Sequence, residues 1–569
     1  MFEEDLISSH SGITPTISLT SSNSSSTDSL ILKAFNEESF QSLSYPVKFA
    51  FANLVTTILH QDFYEFGDSE TRKFSENALK RIIKVCDLPK STGTSLLQQL
   101  YGNSINTDPT LLITTIKEAI ADGYHDVLMP ICKILTNHLE SGIYDSRFRV
   151  FLRHLCALLA IDWETLENAE EYLIKMLTKE AHVESEEHKK ARLRDQREKK
   201  IKRFVKIGTA TGIGGILIGL SGGLAAPFVA SGAAAIIGTT AATTALATTA
   251  GAAILGTAFG VAGAGLTGYK MKKRVGNIEQ FEFVKFSEGY SLQTIITVSG
   301  WINTNSENCA FTYPWRNLRA SREQYALVYE SKYLLELGNA LTYLLSGVVA
   351  TAVQQTLMET ALHGLLTAIA WPVALISIAS MIDNPWNVCI SRSVEIGEHL
   401  ADTLLLRPNG QKPVTLIGFS LGARVIFHCL LKMASRPDSR GIVENVILLG
   451  APVSASPGQW ESACKVVAGR IINGYSANDW MLKFLYRTMS IQFSIAGTSP
   501  IKFTNSNRFK IANHELSHIV TGHFDYVSKL DEILDELGIK METVEKRIPY
   551  ENDLNDSITI RDSSTDEKK

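Results

Sequence analysis

The chain has 569 residues, with 55 Lys and Arg against 59 Asp and Glu, for a net charge of −4. That length exceeds a single hydrophobic core and predicts two or three folded units plus a membrane-seeking part, while the near balance of charge argues against nucleic acid as a partner. Seven scattered cysteines (Cys86, Cys132, Cys156, Cys309, Cys389, Cys429 and Cys464) contain no C-x-x-C pair, which argues against a disulfide framework or a cysteine zinc site and fits reduced thiols facing the cytosol.

The chain opens with MFEEDLISSH, which is acidic and polar and lacks the apolar core of a secretory signal. Residues 1–29 read as a disordered Ser/Thr-rich head. From 30 to 162, segments such as FQSLSYPVKFAFANLVTTILHQDF and SRFRVFLRHLCALLAIDWETL place apolar residues three and four apart, so an all-helical N-terminal domain is expected, a surface for protein partners. His60, His138 and His154 fit its core edge or surface better than a ligand set. Residues 163–206 read as a long charged helix, acidic first and basic at its end; Leu173, Met176 and Leu177 supply a coiled-coil seam only at its start.

Between Ile207 and Tyr269 there is no Asp, Glu, Lys, Arg or His. One bilayer pass takes roughly 20 residues, so this Gly/Ala-rich span is long enough for a helical membrane hairpin turning near Pro227. Gly208 to Gly212 and Gly256 to Gly260 have the spacing that lets two helices approach closely in lipid. The flanking clusters KKIKRFVK and KMKKR put both ends on the cytosolic side. A buried hairpin in a soluble protein is the competing reading, since the span is only modestly apolar. A second apolar stretch, 342–382, is interrupted by Glu359, His363 and Pro372; it suits a lid, a membrane-surface segment or a helix packed on a sheet.

Within a unit spanning 281–540, strand-like runs alternate with helical ones from 291 onward: SLQTIITVSGWI, QYALVYE, KPVTLIGFS, VENVILLGAPV and GRIINGYS. That alternation predicts an α/β unit with a mostly parallel sheet, followed by a polar tail at 545–569. At its centre Gly418-Phe419-Ser420-Leu421-Gly422 is a G-x-S-x-G pentapeptide between a strand and a helix. In that setting the serine occupies a strained turn with its Oγ projecting at the top of the sheet, and the two glycines leave room for strand and helix. The Leu421 amide is then one oxyanion donor. The Val298-Ser299-Gly300-Trp301 loop offers the second, the Trp301 amide, with Gly300 letting the backbone come close.

Such a serine needs an acid and a base later in the chain, in that order. Asp479 follows the strand IINGYS, and His523 follows Gly522; His523 is the expected base and Asp479 its orienter. Asp479 also suits the N-cap of the helix WMLKFLY, and Glu515 and Asp525 are weaker candidates for the acid. A competing pattern lies close by, because His514-Glu515-Leu516-Ser517-His518 spells H-E-x-x-H. A zinc peptidase needs that pentapeptide on a regular helix, whereas RFKIANHELSH follows a strand pattern and runs into Thr521-Gly522. No metal and no cofactor are therefore expected.

VSGWI, QYALVYESKYLLELGNAL, GFSLGARVIFHCL, VILLGAPV, INGYSANDWML and TGHFDYV together resemble the transmembrane and coiled-coil domain-containing protein 4 family over about residues 30–540. The resemblance implies an α/β-hydrolase-like, membrane-associated serine hydrolase and supplies no substrate. The expectation is a membrane-anchored ester hydrolase acting on a lipid or acyl group, with its catalytic unit in the cytosol. A silent membrane scaffold of the same fold, serving trafficking or membrane organisation, is the alternative.

Overall fold

A computed structural model describes residues 43–102, 108–122, 127–181, 259, 266, 278–287, 289, 291–303, 307–319, 321–354, 373–489, 494–502 and 510–542. They fall into two units, one taking in 43–144 with 148–181, the other 145–147 with the residues from 259 onward.

The first unit is helical throughout its described elements: α1 (Tyr45–Leu59), α2 (Ser69–Val85), α3 (Lys90–Tyr101), α4 (Pro109–Asp122), α5 (Leu128–Leu139), α6 (Ser146–Leu158) and α7 (Trp163–Ala181). Its start signals are local. Pro46 stands in the first turn of α1, and the Asp68 carboxylate caps α2 by accepting from the Thr71 amide at 3.0 Å. α7 is packed rather than solvated, burying Leu166, Ala169, Leu173, Ile174 and Leu177. His60 and His138 are buried and His154 is half-buried, hydrogen-bonded to Asp62 at 2.8 Å.

The second unit is a seven-stranded sheet with helices. Its strands are β1 (Phe281–Lys285), β2 (Thr294–Val298), β3 (Gln324–Tyr329), β4 (Val414–Phe419), β5 (Val443–Leu449), β6 (Ile471–Tyr475) and β7 (Ile511–Glu515). Between and after them come α8 (Glu307–Thr312), α9 (Ser331–Gln354), α10 (Val373–Leu406), α11 (Leu421–Ala434), α12 (Pro457–Cys464), α13 (Trp480–Met489), α14 (Asp525–Ser528) and α15 (Leu530–Glu536). The spatial order is β1-β3-β2-β4-β5-β6-β7. Every neighbouring pair is parallel except β1 with β3.

Burial explains which strands sit where. Every residue of β2, β3 and β4 is buried, the signature of parallel strands covered on both faces. Each Ile, Leu or Val so placed contributes roughly 1.5–3 kcal/mol. At the two edges, β1 and β7 alternate instead. β1 carries a short F-E-F-V-K alternation that the strand pattern from 291 onward does not include. Register then aligns the strand ends: Val298 pairs with Gly418, Gly418 with Leu448, Leu449 with Gly474, and Tyr475 with Glu515. The loops after β2, β4, β5, β6 and β7 therefore leave from one edge of the sheet, the carboxyl edge where open parallel sheets carry their sites.

The predicted hairpin 207–269 lies outside the described residues apart from Phe259 and Leu266, as do the head 1–29, residues 182–206 and the tail 545–569. Of the stretch 342–382, residues 342–354 end α9 and 373–382 begin α10, while 355–372 lie outside the described residues. No helix among the described residues is long and apolar enough to cross a membrane.

Candidate active site

β4 ends at Phe419 and α11 begins at Leu421, so Ser420 alone makes the turn. Its φ of 52° and ψ of −125° are unfavourable for a side chain with a Cβ, at a cost of order 1–3 kcal/mol. The surroundings impose it. The Ser420 amide donates to the Leu449 carbonyl of β5 at 2.8 Å, and three glycines let the backbones converge. A Cβ on Gly422 would fall 2.0 Å from the Val298 carbonyl oxygen, and one on Gly418 would fall 2.7 Å from Ile426 Cδ1. A Cβ on Gly300 would meet the Phe419 oxygen at 2.5 Å, Ser420 Cβ at 2.6 Å and Leu421 N at 2.8 Å. Gly300 thus brings the 299–301 loop against the turn, side by side with the Leu421 amide.

Ser420 meets two residues from the far end of the sheet. His523 Nε2 lies 2.8 Å from Ser420 Oγ, and His523 Nδ1 lies 2.6 Å from Asp479 Oδ2. A carboxylate only accepts, so Nδ1 carries the proton and Nε2 is left to accept from the serine hydroxyl. The other Asp479 oxygen accepts from the Leu482 amide at 2.9 Å, in the first turn of α13. Asp479 is therefore helix cap and imidazole partner at once.

What brings 479 to 523 is the lacing of two loops past the β6–β7 register. Leu516 N donates to Tyr475 O at 2.8 Å, Ala477 N to Ser517 Oγ at 2.9 Å, and Ser476 Oγ to Val520 O at 2.7 Å. The other two carboxylates weighed from sequence are occupied elsewhere. Glu515 accepts from the Ser517 hydroxyl at 3.0 Å. Asp525 Oδ2 accepts from the Thr521 amide and hydroxyl, both at 2.8 Å, and from the Gly522 amide at 3.2 Å. Burial pushes the Asp525 carboxyl up, but the Thr521 hydroxyl and amide, Lys529 and the Gly522 amide outweigh it and hold it below the usual range. The H-E-x-x-H residues are strand and turn: His514 and Glu515 are successive residues of β7, and the exposed His518 lies 3.9 Å from Glu536.

Ser420 is 1 % exposed, His523 1 % and Asp479 0 %. All three lie under cover at the carboxyl edge of the sheet. The loop that Gly300 admits adds to the cover of the imidazole. It carries the buried Trp301 indole onto His523, with ring centroids 5.1 Å apart and planes at 29°. Phe419 and Phe524 meet that indole edge-on at 5.1 and 5.7 Å, and Tyr526 meets the imidazole edge-on at 5.7 Å. Reading the sequence assigned Trp301 its amide alone and missed the ring. The available signal was aromatic residues placed directly beside Gly300, Ser420 and His523.

An uncharacterized membrane protein of Caenorhabditis elegans is 51% identical to this chain over 530 residues, covering 89% of this chain and 83% of that one. A transmembrane and coiled-coil domain-containing protein of Oryza sativa subsp. japonica is 38% identical, covering 70% of this chain and 61% of its own. A Saccharomyces cerevisiae protein named a probable lipase is 33% identical over 72% of this chain and 38% of its own length. No solved structure matches the chain. The family model described as protein of unknown function (DUF726) matches residues 199–540, and the chain belongs to that family.

Proposed function

We propose that this chain is a membrane-associated serine hydrolase with an α/β-hydrolase-like catalytic unit, cleaving an ester of a lipid or acyl group. The observation that carries the reading is the unbroken chain from Ser420 Oγ through His523 to Asp479, at 2.8 and 2.6 Å, starting from a strained strand-to-helix turn.

In the proposed reaction, His523 Nε2 takes the hydroxyl proton as Ser420 Oγ attacks the acyl carbonyl carbon. The negative charge passes to the carbonyl oxygen, facing the Leu421 amide and the Trp301 amide beside Gly300. Asp479 holds the imidazolium. Collapse breaks the ester bond, and the leaving alkoxide receives the proton from Nε2. Water then repeats the sequence on the acyl-serine: its proton goes to His523, its oxygen to the acyl carbon, and Ser420 is regenerated as the acid departs. A thioester would follow the same course.

The substrate class rests on the yeast relative's printed name of probable lipase and on the relatives named as membrane proteins. The uncharged span 207–269 is the proposed anchor, with the catalytic unit facing the cytosol and the helical N-terminal region available to protein partners. The test is labelling of the full chain, with and without lipid vesicles, by a fluorophosphonate probe that reacts only with an activated serine. Wild type is expected to label and Ser420→Ala is not. Absence of labelling in wild type under both conditions sinks the reading.

One observation favours a second reading, a fold retained for binding alone: the 1 % exposure of Ser420. Hydrolysis requires the covering side chains to move aside for substrate, and binding elsewhere on the unit does not. Full rescue of a deletion phenotype by Ser420→Ala would favour the scaffold.

A further inference from the structure

The Cβ bond and the hydrogen bonds to Asp479 and Ser420 set where the His523 imidazole lies, but they all act at its rim, so the ring can still rock about its Cβ–Cγ bond as the hydrogen bonds bend. A contact on the ring face restricts that motion. Trp301 makes one, offset-stacked at 5.1 Å and 29°, and Tyr526 meets the ring edge-on at 5.7 Å. The indole is itself braced from both sides of the site. Phe419, the residue before Ser420, meets it edge-on at 5.1 Å and 78°, and Phe524, the residue after His523, at 5.7 Å and 79°. A displacement of either Ser420 or His523 along the chain therefore disturbs the ring that holds the imidazole. The face is also electrostatically suited to the reaction. An indole face carries the negative part of its quadrupole and attracts a cation within about 6 Å, a distance the imidazolium formed at His523 would satisfy.

We propose that the Trp301 indole is a positioning residue for His523, fixing the plane of the imidazole and favouring the imidazolium that forms when Ser420 is deprotonated. This rests on the serine-hydrolase reading above and assigns the side chain a role separate from that of its backbone amide. It predicts that the ring matters to turnover more than to substrate capture, since it touches the base and the base acts only once substrate is bound.

The test compares full-chain wild type, Ser420→Ala, Trp301→Phe and Trp301→Leu, using fluorophosphonate labelling rates and hydrolysis of p-nitrophenyl butyrate. Trp301→Phe keeps a stacking face and is expected to stay within about threefold of wild type. Trp301→Leu keeps apolar bulk without a π-face and is expected to lower kcat and the labelling rate about tenfold, with KM unchanged. Thermal unfolding of both variants separates loss of the ring from loss of the fold, and the phenylalanine variant keeps the comparison alive if the leucine variant does not fold. Trp301→Leu acting only on KM would make the indole a wall of the substrate site and overturn the proposal. So would Trp301→Phe falling as far as Trp301→Leu, or both labelling at the wild-type rate. These outcomes differ from failure of the underlying reading, in which wild type and Ser420→Ala are equally unlabelled and the ground for both is gone.

Discussion

Among the described residues of the second unit, two strand-to-helix turns give a residue with a side chain a positive φ: Glu330 at 45°, between β3 and α9, and Ser420 at 52°, between β4 and α11. Both are buried at the carboxyl edge of one sheet. Their side chains meet different company. Glu330 Oε1 accepts from the Glu279 amide at 2.6 Å and the Gln280 amide at 3.0 Å, and its other oxygen pairs with Arg392, whose guanidinium lies 3.8 Å over the Tyr333 ring. That side chain ties the chain entering β1 to α10. Ser420 has a hydroxyl proton and an imidazole set to receive it. Backbone strain alone therefore does not mark a reactive group; what the side chain touches decides whether the strain serves chemistry or architecture.

The largest expected effect tests the turn proposed to be reactive. Asp479→Asn keeps the helix cap, because asparagine caps as well as aspartate, but its side-chain amide competes for the orientation of the imidazole. The fluorophosphonate labelling rate should fall by about 10³–10⁴ with the melting temperature little changed. Labelling at the wild-type rate would reduce Asp479 to a cap. The architectural turn should respond in the opposite way. Glu330→Ala leaves Arg392 without this partner, and a loss of about 3 kcal/mol is expected in urea unfolding. Labelling per folded molecule should stay at wild type. Equal losses of labelling in the two variants would erase the distinction between the turns.

Much of this arrangement is legible in the residues, and the illegible part has a physical pattern. The strands β2 to β6 announce themselves as apolar runs, and Ser420 declares its turn because Gly418 and Gly422 stand where a Cβ would strike Ile426 or Val298. Chain order suggests Asp479 and His523, since each follows a strand or strand-like run. Sequence cannot show how far apart the loops end, because the lacing of Ser476, Ala477, Ser517 and Val520 joins residues about 40 apart through single hydrogen bonds. Nor can it show closure. An indole that could face solvent or fold onto His523 has the same sequence either way, and so has a serine that is open or, like Ser420, 1 % exposed. Short alternation hides β1, whose five residues carry too few repeats to stand out.

A smaller effect compares two buried imidazoles. His523 has a carboxylate at 2.6 Å, whereas burial alone pushes His399 down to about 4, with the Phe281 ring edge-on at 4.6 Å. His399 is thus folded in its neutral form. Above about pH 6.5 it is neutral folded or unfolded and costs nothing. As pH falls from 6.5 toward 4 the unfolded chain binds the proton first, so stability declines, by up to about 3 kcal/mol. His399→Gln should flatten the pH dependence of urea unfolding between pH 6.5 and 4.5. His428, also pushed to about 4 by burial and then by Arg424, leaves a residual slope. An unchanged slope in the variant would place the acid sensitivity elsewhere.

The smallest effect concerns how His523 is delivered. Asp525 gathers Thr521 and Gly522 through three hydrogen bonds, immediately before the imidazole. Its carboxyl is held below the usual range, so it stays charged throughout neutral pH and adds no titration of its own there. Removing it in Asp525→Ala frees the turn, but the Asp525 side chain is 21% exposed, and water can replace part of what it accepts. The loss is therefore expected to be about tenfold in labelling rate, well short of that for Asp479→Asn, with Asp525→Asn between the alanine variant and wild type. Temperature offers a second measure: a loosened turn should lower the labelling rate more at 37 °C than at 15 °C, because fewer molecules hold the imidazole toward Ser420. If Asp525→Ala labels like wild type at both temperatures, the loop is held by Leu516, Val520 and Tyr526 in the core, and the hydrogen-bonded clamp is incidental to the placement of the base.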